Sequence, residues 1–75
     1  PLTRLEIQKM EKYYTRRVFE LRLEGMLDGK KVRVIDAVEQ VAEETEVSDQ
    51  TVQNAYKKHR RTFVNLFKAY NIPIN

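Results

Sequence analysis

The stretch that decides the fold is residues 41–58, VAEETEVSDQTVQNAYKK. Its helical pattern is interrupted once, at Glu46, Val47 and Ser48, and then resumes. Ser48 is a residue type that starts helices, because its hydroxyl accepts a hydrogen bond from the free backbone N–H of residue 50 or 51. The stretch therefore predicts two helices joined by a short turn, rather than one uninterrupted helix.

The helix after the turn is predicted to run from near Asp49 to about Asn71 and has two chemically different sides. With successive residues about 100° apart around the axis, the polar side occupies an arc of roughly 60°. This side consists of Gln50, Asn54, Lys57, Arg61 and Lys68. The apolar side consists of Val52, Ala55, Tyr56, Phe63, Leu66 and Tyr70. The two stripes are almost diametrically opposed, so one side is expected to pack inside and the other to face a partner.

Two further helices are predicted before the turn. The first covers residues 3–27, with Thr3 as its N-cap and Glu6 completing a capping box. The second covers about residues 35–45, and its predicted inward face consists of Ile35, Val38, Val41 and Ala42. Residues 30–34, KKVRV, favour an extended connector between the two, although a β-ribbon or half of an intersubunit sheet remains open.

Two apolar stripes run along the predicted first helix. One consists of Ile7, Met10, Tyr14, Val18 and Leu21, and the other of Leu5, Phe19, Leu23, Met26 and Leu27. One stripe is enough to dock a helix onto its own domain, so two stripes imply two partners. A lone 75-residue chain also buries little of its surface. We therefore expect a homodimer whose interface consists of Tyr14, Val18, Phe19, Leu23 and Met26.

Composition narrows the class of protein. The net charge is +3, and the positive excess lies after the turn, where residues 48–75 carry five basic side chains and one acidic one. Cysteine is absent and there is a single histidine. No nucleophile–base pair, metal-ligand spacing or phosphate loop is present, so we expect no enzyme activity, cofactor or metal. No apolar run is long enough to span a bilayer and no signal peptide is present, so we expect a soluble, cytoplasmic protein.

Residues 38–57 resemble the helix-turn-helix DNA-binding domains of prokaryotic transcriptional regulators. The resemblance rests on Val41-Ala42, Glu46-Val47-Ser48 and Thr51-Val52. In such a motif a small residue allows the two helices to cross closely, and an apolar residue fills the space beneath the turn. The chain departs from the pattern at Glu46, where glycine is usual, because that position tends to be left-handed. A non-glycine residue in that conformation costs roughly 1 kcal/mol.

The resemblance implies sequence-specific binding of double-stranded DNA by one all-α domain, residues 1–75. Residues 1–29 would dimerise and residues 30–75 would bind DNA at a roughly palindromic site, with half-sites about 34 Å apart or a multiple of it. The matching positions that turn toward DNA are Ser48, Asp49, Gln50, Gln53, Asn54 and Lys57. We expect base contacts from Gln50, Gln53, Asn54 and Lys57, and phosphate contacts from Ser48, Lys58, Arg60 and Arg61, with Lys57 also able to hold a phosphate.

Other interpretations remain open. The chain could be a protein–protein adaptor that uses the long first helix, or the DNA-binding module of a recombinase or transposase. The basic run of residues 57–61 could be a solvated face or a nuclear localisation signal. His59 falls within the apolar stripe and is expected to be packed or at its boundary. The acidic group Glu39, Glu43, Glu44 and Glu46 is expected to be a solvated helix face rather than a metal site.

Overall fold

The computed structural model describes residues 1–73, which form three α-helices and no β-strand. Helix α1 covers Arg4–Leu27, α2 covers Val34–Thr45 and α3 covers Asp49–Ala69. This confirms the predicted all-α fold of a long first helix followed by two helices joined by a tight turn. Residues 30–33 connect α1 to α2 without forming a strand. Residues 74 and 75, the last two of the predicted domain, lie outside the described residues.

The start and end of α1 follow from local sequence. The predicted capping box is present, because the Glu6 N–H donates to Thr3 Oγ1 and the Thr3 N–H donates to Glu6 Oε1, both at 3.2 Å. At the other end, Gly29 has a left-handed φ of 73° that favours glycine. Gly25 is buried in the last turns of α1, where a Cβ would overlap the side chain of Val32. The connector therefore packs directly against the backbone of α1.

The hydrophobic core draws on all three helices. Its fully buried residues include Val18 and Phe19 from α1, Val38 and Val41 from α2, and Val52 from α3. The ring of Phe19 lies at the centre of an aromatic group from α3, with centroid distances of 5.5 Å to Tyr56, 5.7 Å to Phe63 and 5.3 Å to Phe67. Helix α1 is thereby fixed against α3 by aromatic packing.

A hydrogen bond within the core also joins α1 to α3. The hydroxyl of Thr15 is fully buried and lies 2.8 Å from the carbonyl oxygen of Glu11 and 3.1 Å from that of Ala55. Its single proton can be shared between these two acceptors. The contact therefore satisfies a polar group that would otherwise be costly to bury.

The predicted dimer interface is wrong for three of its five residues. Tyr14, Val18 and Phe19 are buried within their own chain, so they cannot contact a second copy. Leu23 is half-buried against the core, and only Met26 is largely exposed. The physical reason is that α1 packs against both α2 and α3. Phe19 of the second stripe is thus covered by α3 of the same chain, whereas Leu5, Met26 and Leu27 of that stripe remain exposed.

Three further expectations fail at the edges of the core. Ile35 is 42% exposed, and Ala37 takes the inward position on α2 in its place. On α3, Leu66 is 46% exposed and Tyr70 is 71% exposed. The helix ends at Ala69, with Tyr70 as its C-cap. Asn71 is left-handed with φ 58°, and the Ile72 N–H donates to the Phe67 carbonyl oxygen at 2.9 Å.

Within residues 1–73, no helix combines the length and apolar character needed to cross a membrane.

Candidate nucleic-acid interface

The turn between α2 and α3 has the geometry that the sequence predicts. Glu46 is left-handed, with φ 58° and ψ 35°, and the Val47 N–H donates to the Ala42 carbonyl oxygen at 3.2 Å. Ser48 is the N-cap of α3, and its hydroxyl oxygen accepts from the Thr51 N–H at 3.1 Å. The turn therefore ends α2 and starts α3 within three residues. The hydrogen bonds at its two ends satisfy a free carbonyl of α2 and a free N–H of α3.

Apolar residues fix the angle of α3 from beneath this turn. Ala42 and Val52 are buried, and Val47 is half-buried against the core. These are the positions where the sequence predicts packing between the two helices. Because they hold one side of α3 inward, the opposite side is displayed to solvent.

The displayed side of α3 begins with polar residues that can bind bases. Gln50, Asn54 and Lys57 are exposed, as is the N-cap Ser48, whereas Gln53 is half-buried. The Gln50 side chain donates from Nε2 to Asn54 Oδ1 at 2.7 Å. These two amides lie one helical turn apart and hold each other in position. The sequence predicts that both face outward, but their mutual hydrogen bond is a finding of the structure.

Further along the same helix is a cationic depression, lined by Lys57, Arg60, Arg61, Val64, Asn65 and Lys68. Its four basic residues are exposed, and none has a carboxylate of the described residues within ion-pair distance. A cation without an intramolecular partner is available to a phosphate. We call this set of four, Lys57, Arg60, Arg61 and Lys68, the α3 cations.

Lys58 differs from the α3 cations because it contacts α1. Its Nζ lies 3.2 Å from Glu11 Oε1, and His59 Nε2 lies 3.4 Å from the same oxygen. Partial burial raises the pKa of the Glu11 carboxyl, but the hydrogen bonds from Lys58 and His59 outweigh it and bring that pKa below its usual value. His59 is half-buried, in agreement with its expected boundary position. Glu11 gives no sequence signal for this role, since it lies 47 residues from Lys58.

A group of acidic residues lies on the outer side of α2 and at its C-cap. Glu39, Glu43, Glu44 and Glu46 are exposed, as expected of a solvated face. Among residues 1–73, no three histidine or carboxylate side chains come close enough to hold a metal ion. Asp49 is also exposed, in the first turn of α3, where a negative charge interacts favourably with the helix dipole.

The tyrosines divide between the core and the surface. Tyr14 and Tyr56 are buried, which removes them as candidates for base stacking. Tyr13 is partly exposed on α1, and the guanidinium carbon of Arg16 lies 5.5 Å from its ring centroid. Tyr13 and Arg16 belong to a second basic surface, which lies on α1 rather than on α3.

Comparisons with known protein families, with curated proteins and with solved structures find no match to this chain.

Proposed function

We propose that this chain binds double-stranded DNA in a sequence-specific way through α3, as a small transcriptional regulator. The observation that carries the proposal is the exposed Gln50–Asn54 amide pair, which lies directly after the turn and is followed along the same side by the α3 cations. An α-helix fits the major groove of DNA, where side-chain amides bind base edges and cations bind phosphates.

The amide pair can match the groups that adenine presents. One hydrogen bond between the two amides uses an N–H of Gln50 and the carbonyl of Asn54, and the groups that stay free include the Gln50 carbonyl and the Asn54 N–H donors. If both amides were rotated, the pair would still leave one acceptor and one donor. In the major groove, adenine is the single base that presents an acceptor, N7, beside a donor, N6. The pair therefore suits adenine.

The cations supply affinity that does not depend on sequence. Lys57, Arg60 and Arg61 carry no intramolecular ion pair within the described residues, whereas Lys58 is already paired with Glu11. Each neutralised phosphate contributes about −0.9 to the slope of log K against log salt. Three or four contacts per copy therefore correspond to a slope between about −2.7 and −3.6.

We further propose that two copies of the chain bind one DNA site together. One recognition helix reaches only a few base pairs, so a pair of half-sites is needed for a specific site. The contact between copies cannot use the buried residues Tyr14, Val18 and Phe19. It must use surfaces that remain exposed in the single chain.

The protein–protein adaptor alternative has one observation in its favour. Ile7 and Met10 lie on the inward stripe of α1 but remain 44% and 40% exposed, beside Leu2 and Val47. This apolar depression adjoins Thr51 and Asn54. An adaptor would bind a protein there and would show no salt-dependent affinity for duplex DNA.

Selection of bound duplexes from a random pool tests the proposed function. We expect enrichment of a short motif with an adenine at a fixed position. The Gln50→Ala/Asn54→Ala double variant should retain binding but lose that preference, whereas Gln40→Ala, an exposed amide on α2, should enrich the same motif as the unaltered protein. Failure to enrich any motif, together with equal binding of single strands and duplexes, would exclude the proposal.

A further inference from the structure

Two helix faces of opposite charge are only partly neutralised by ion pairs within this chain. The basic face consists of Lys9, Lys12 and Arg16 on α1, in a shallow depression that also includes Tyr13 and Phe63. The acidic face consists of Asp36, Glu39 and Glu43 on α2, and it lines a separate depression. We propose that the basic face of one copy binds the acidic face of a second copy, so that copies associate head to tail.

Each face finds only part of its counter-charge within the described residues. Lys9 and Lys12 have no ion pair with a described carboxylate, and Arg16 reaches only Glu20, at 3.8 Å. On α2, Glu39 and Glu43 have no ion pair with a described cation. Asp36 is paired with Arg33 at 2.9 Å, so it contributes less than the other two.

The two helices do meet, but through other residues. The ion pair between α1 and α2 joins Arg17 to Glu44 at 3.2 Å, and Arg17 is outside the basic face. The depression of the basic face extends instead to Phe63 of α3. Within one chain the two faces therefore lie apart, and only a second copy brings them together.

The spacing of the charges matches between the faces. Lys9, Lys12 and Arg16 are separated by three and then four residues, and so are Asp36, Glu39 and Glu43. The first and last charges of each set are seven residues apart, or about 10 Å along one side of a helix. Two helices laid side by side can therefore form three charge pairs in one register.

The charge distribution favours a second copy over nucleic acid as the partner of these faces. Helix α2 contains four carboxylates and no lysine or arginine, so its outer face repels DNA and favours a cationic partner. The basic face on α1 of a second copy is such a partner, and its charges have the matching spacing. Because each exposed ion pair strengthens association by only about 1.5- to 5-fold, the contact is weak in free solution and sensitive to salt.

Head-to-tail contact is heterologous, because two different surfaces meet. In a pair of copies, one copy keeps its acidic face free and the other keeps its basic face free. If the chain also binds DNA as proposed, the head-to-tail contact would place copies in tandem along the duplex. Only this consequence rests on the proposed function. The expected sites are then direct repeats, and not the palindromes that a two-fold dimer implies. The contact itself can be measured without DNA.

Sedimentation at millimolar protein and low salt tests the contact. We expect the unaltered chain to self-associate and added salt to abolish the association. Two double variants, Lys9→Glu/Lys12→Glu and Glu39→Lys/Glu43→Lys, should each weaken it at least about tenfold, because attraction becomes repulsion. The fourfold variant that combines them keeps the net charge of the chain and should restore association.

The control variant Lys30→Glu/Lys31→Glu has the same net charge as the first double variant but lies outside both faces, so it should weaken association far less. All altered residues are exposed, and circular dichroism checks that the helices persist. Lys12→Gln and Glu39→Gln, which only remove charge, give a second measure and should each weaken association about twofold. A monomeric unaltered chain, a fourfold variant that does not associate, or association that salt leaves unchanged would overturn the proposal. None of these results would affect DNA binding by α3.

Discussion

The side-chain amide of Gln50 donates to Asn54 Oδ1 at 2.7 Å, across one turn on the exposed side of α3. Two long polar side chains on a solvent-facing helix usually adopt many rotamers. Here each restricts the other, so less conformational freedom is lost when a base edge is bound. The proposed DNA binding makes this pair the unit of recognition.

Replacing Asn54 by Ala should weaken binding to the selected site by about 1–3 kcal/mol, because one donor to the base and the support for Gln50 are lost together. Binding to random duplexes should change little. Fluorescence anisotropy on both duplexes measures the ratio, with Gln40→Ala as the matched amide control on α2. An unchanged ratio of specific to random affinity would exclude the pair as the base-reading unit.

Replacing Lys57 by Ala should weaken specific and random binding about equally and reduce the salt slope by about 0.9, as expected for one lost phosphate contact. The same lysine-to-alanine change at Lys31, exposed in the connector between α1 and α2, should leave the slope unaltered. Titrations over a series of salt concentrations give the slope directly. Equal slopes for Lys57→Ala and the unaltered protein would place Lys57 away from the backbone of DNA.

Replacing Glu46 by Gly should stabilise the fold by up to about 1 kcal/mol, because Glu46 has a left-handed conformation that glycine adopts without steric cost. Glu43→Gly, at an exposed position within α2, should instead destabilise by about 1 kcal/mol, since glycine is a poor helix former. Urea unfolding measures both. A loss of stability in Glu46→Gly would show that its side chain makes a contact worth more than the strain.

Replacing Glu11 by Gln should destabilise the protein at neutral pH by less than about 1 kcal/mol, through loss of the contacts with Lys58 and His59. The pKa of Glu11 is lowered in the folded state, so its contribution is complete above its usual pKa and is lost as pH falls through the lowered value. The difference between variant and unaltered protein should therefore shrink below about pH 4.5. Glu24→Gln, an exposed carboxylate of α1, should show no such change, and a pH-independent difference for Glu11→Gln would contradict the assignment.

Replacing Phe19 by Ala should cost about 3–5 kcal/mol, because it leaves a cavity among Tyr56, Phe63 and Phe67. That loss is a large part of the stability of a domain this small. Leu27→Ala, on the same helix but 76% exposed, should cost far less. Thermal unfolding followed by circular dichroism compares them, and similar melting temperatures would mean that Phe19 does not hold α1 to α3.

Local chemistry accounts for the features that the sequence predicts correctly. Thr3 and Glu6 form the predicted box, Ser48 caps α3, and Glu46 takes the left-handed conformation. These interactions connect residues three or four positions apart, so a single sequence contains both partners. The exposure of Gln50 and Asn54 follows in the same way from the periodicity of α3.

The sequence by itself determined the three helices, the turn between α2 and α3, and the separation of a polar from an apolar side on α3. Only the tertiary structure decided what the second stripe of α1 packs against, and that Glu11 binds Lys58 and His59 from across the fold. The reason is that helical periodicity specifies which side of a helix is apolar but contains no information on which element covers it. Phe19 is the clearest case: its position predicts burial, and only the packing of α3 shows that its own chain buries it.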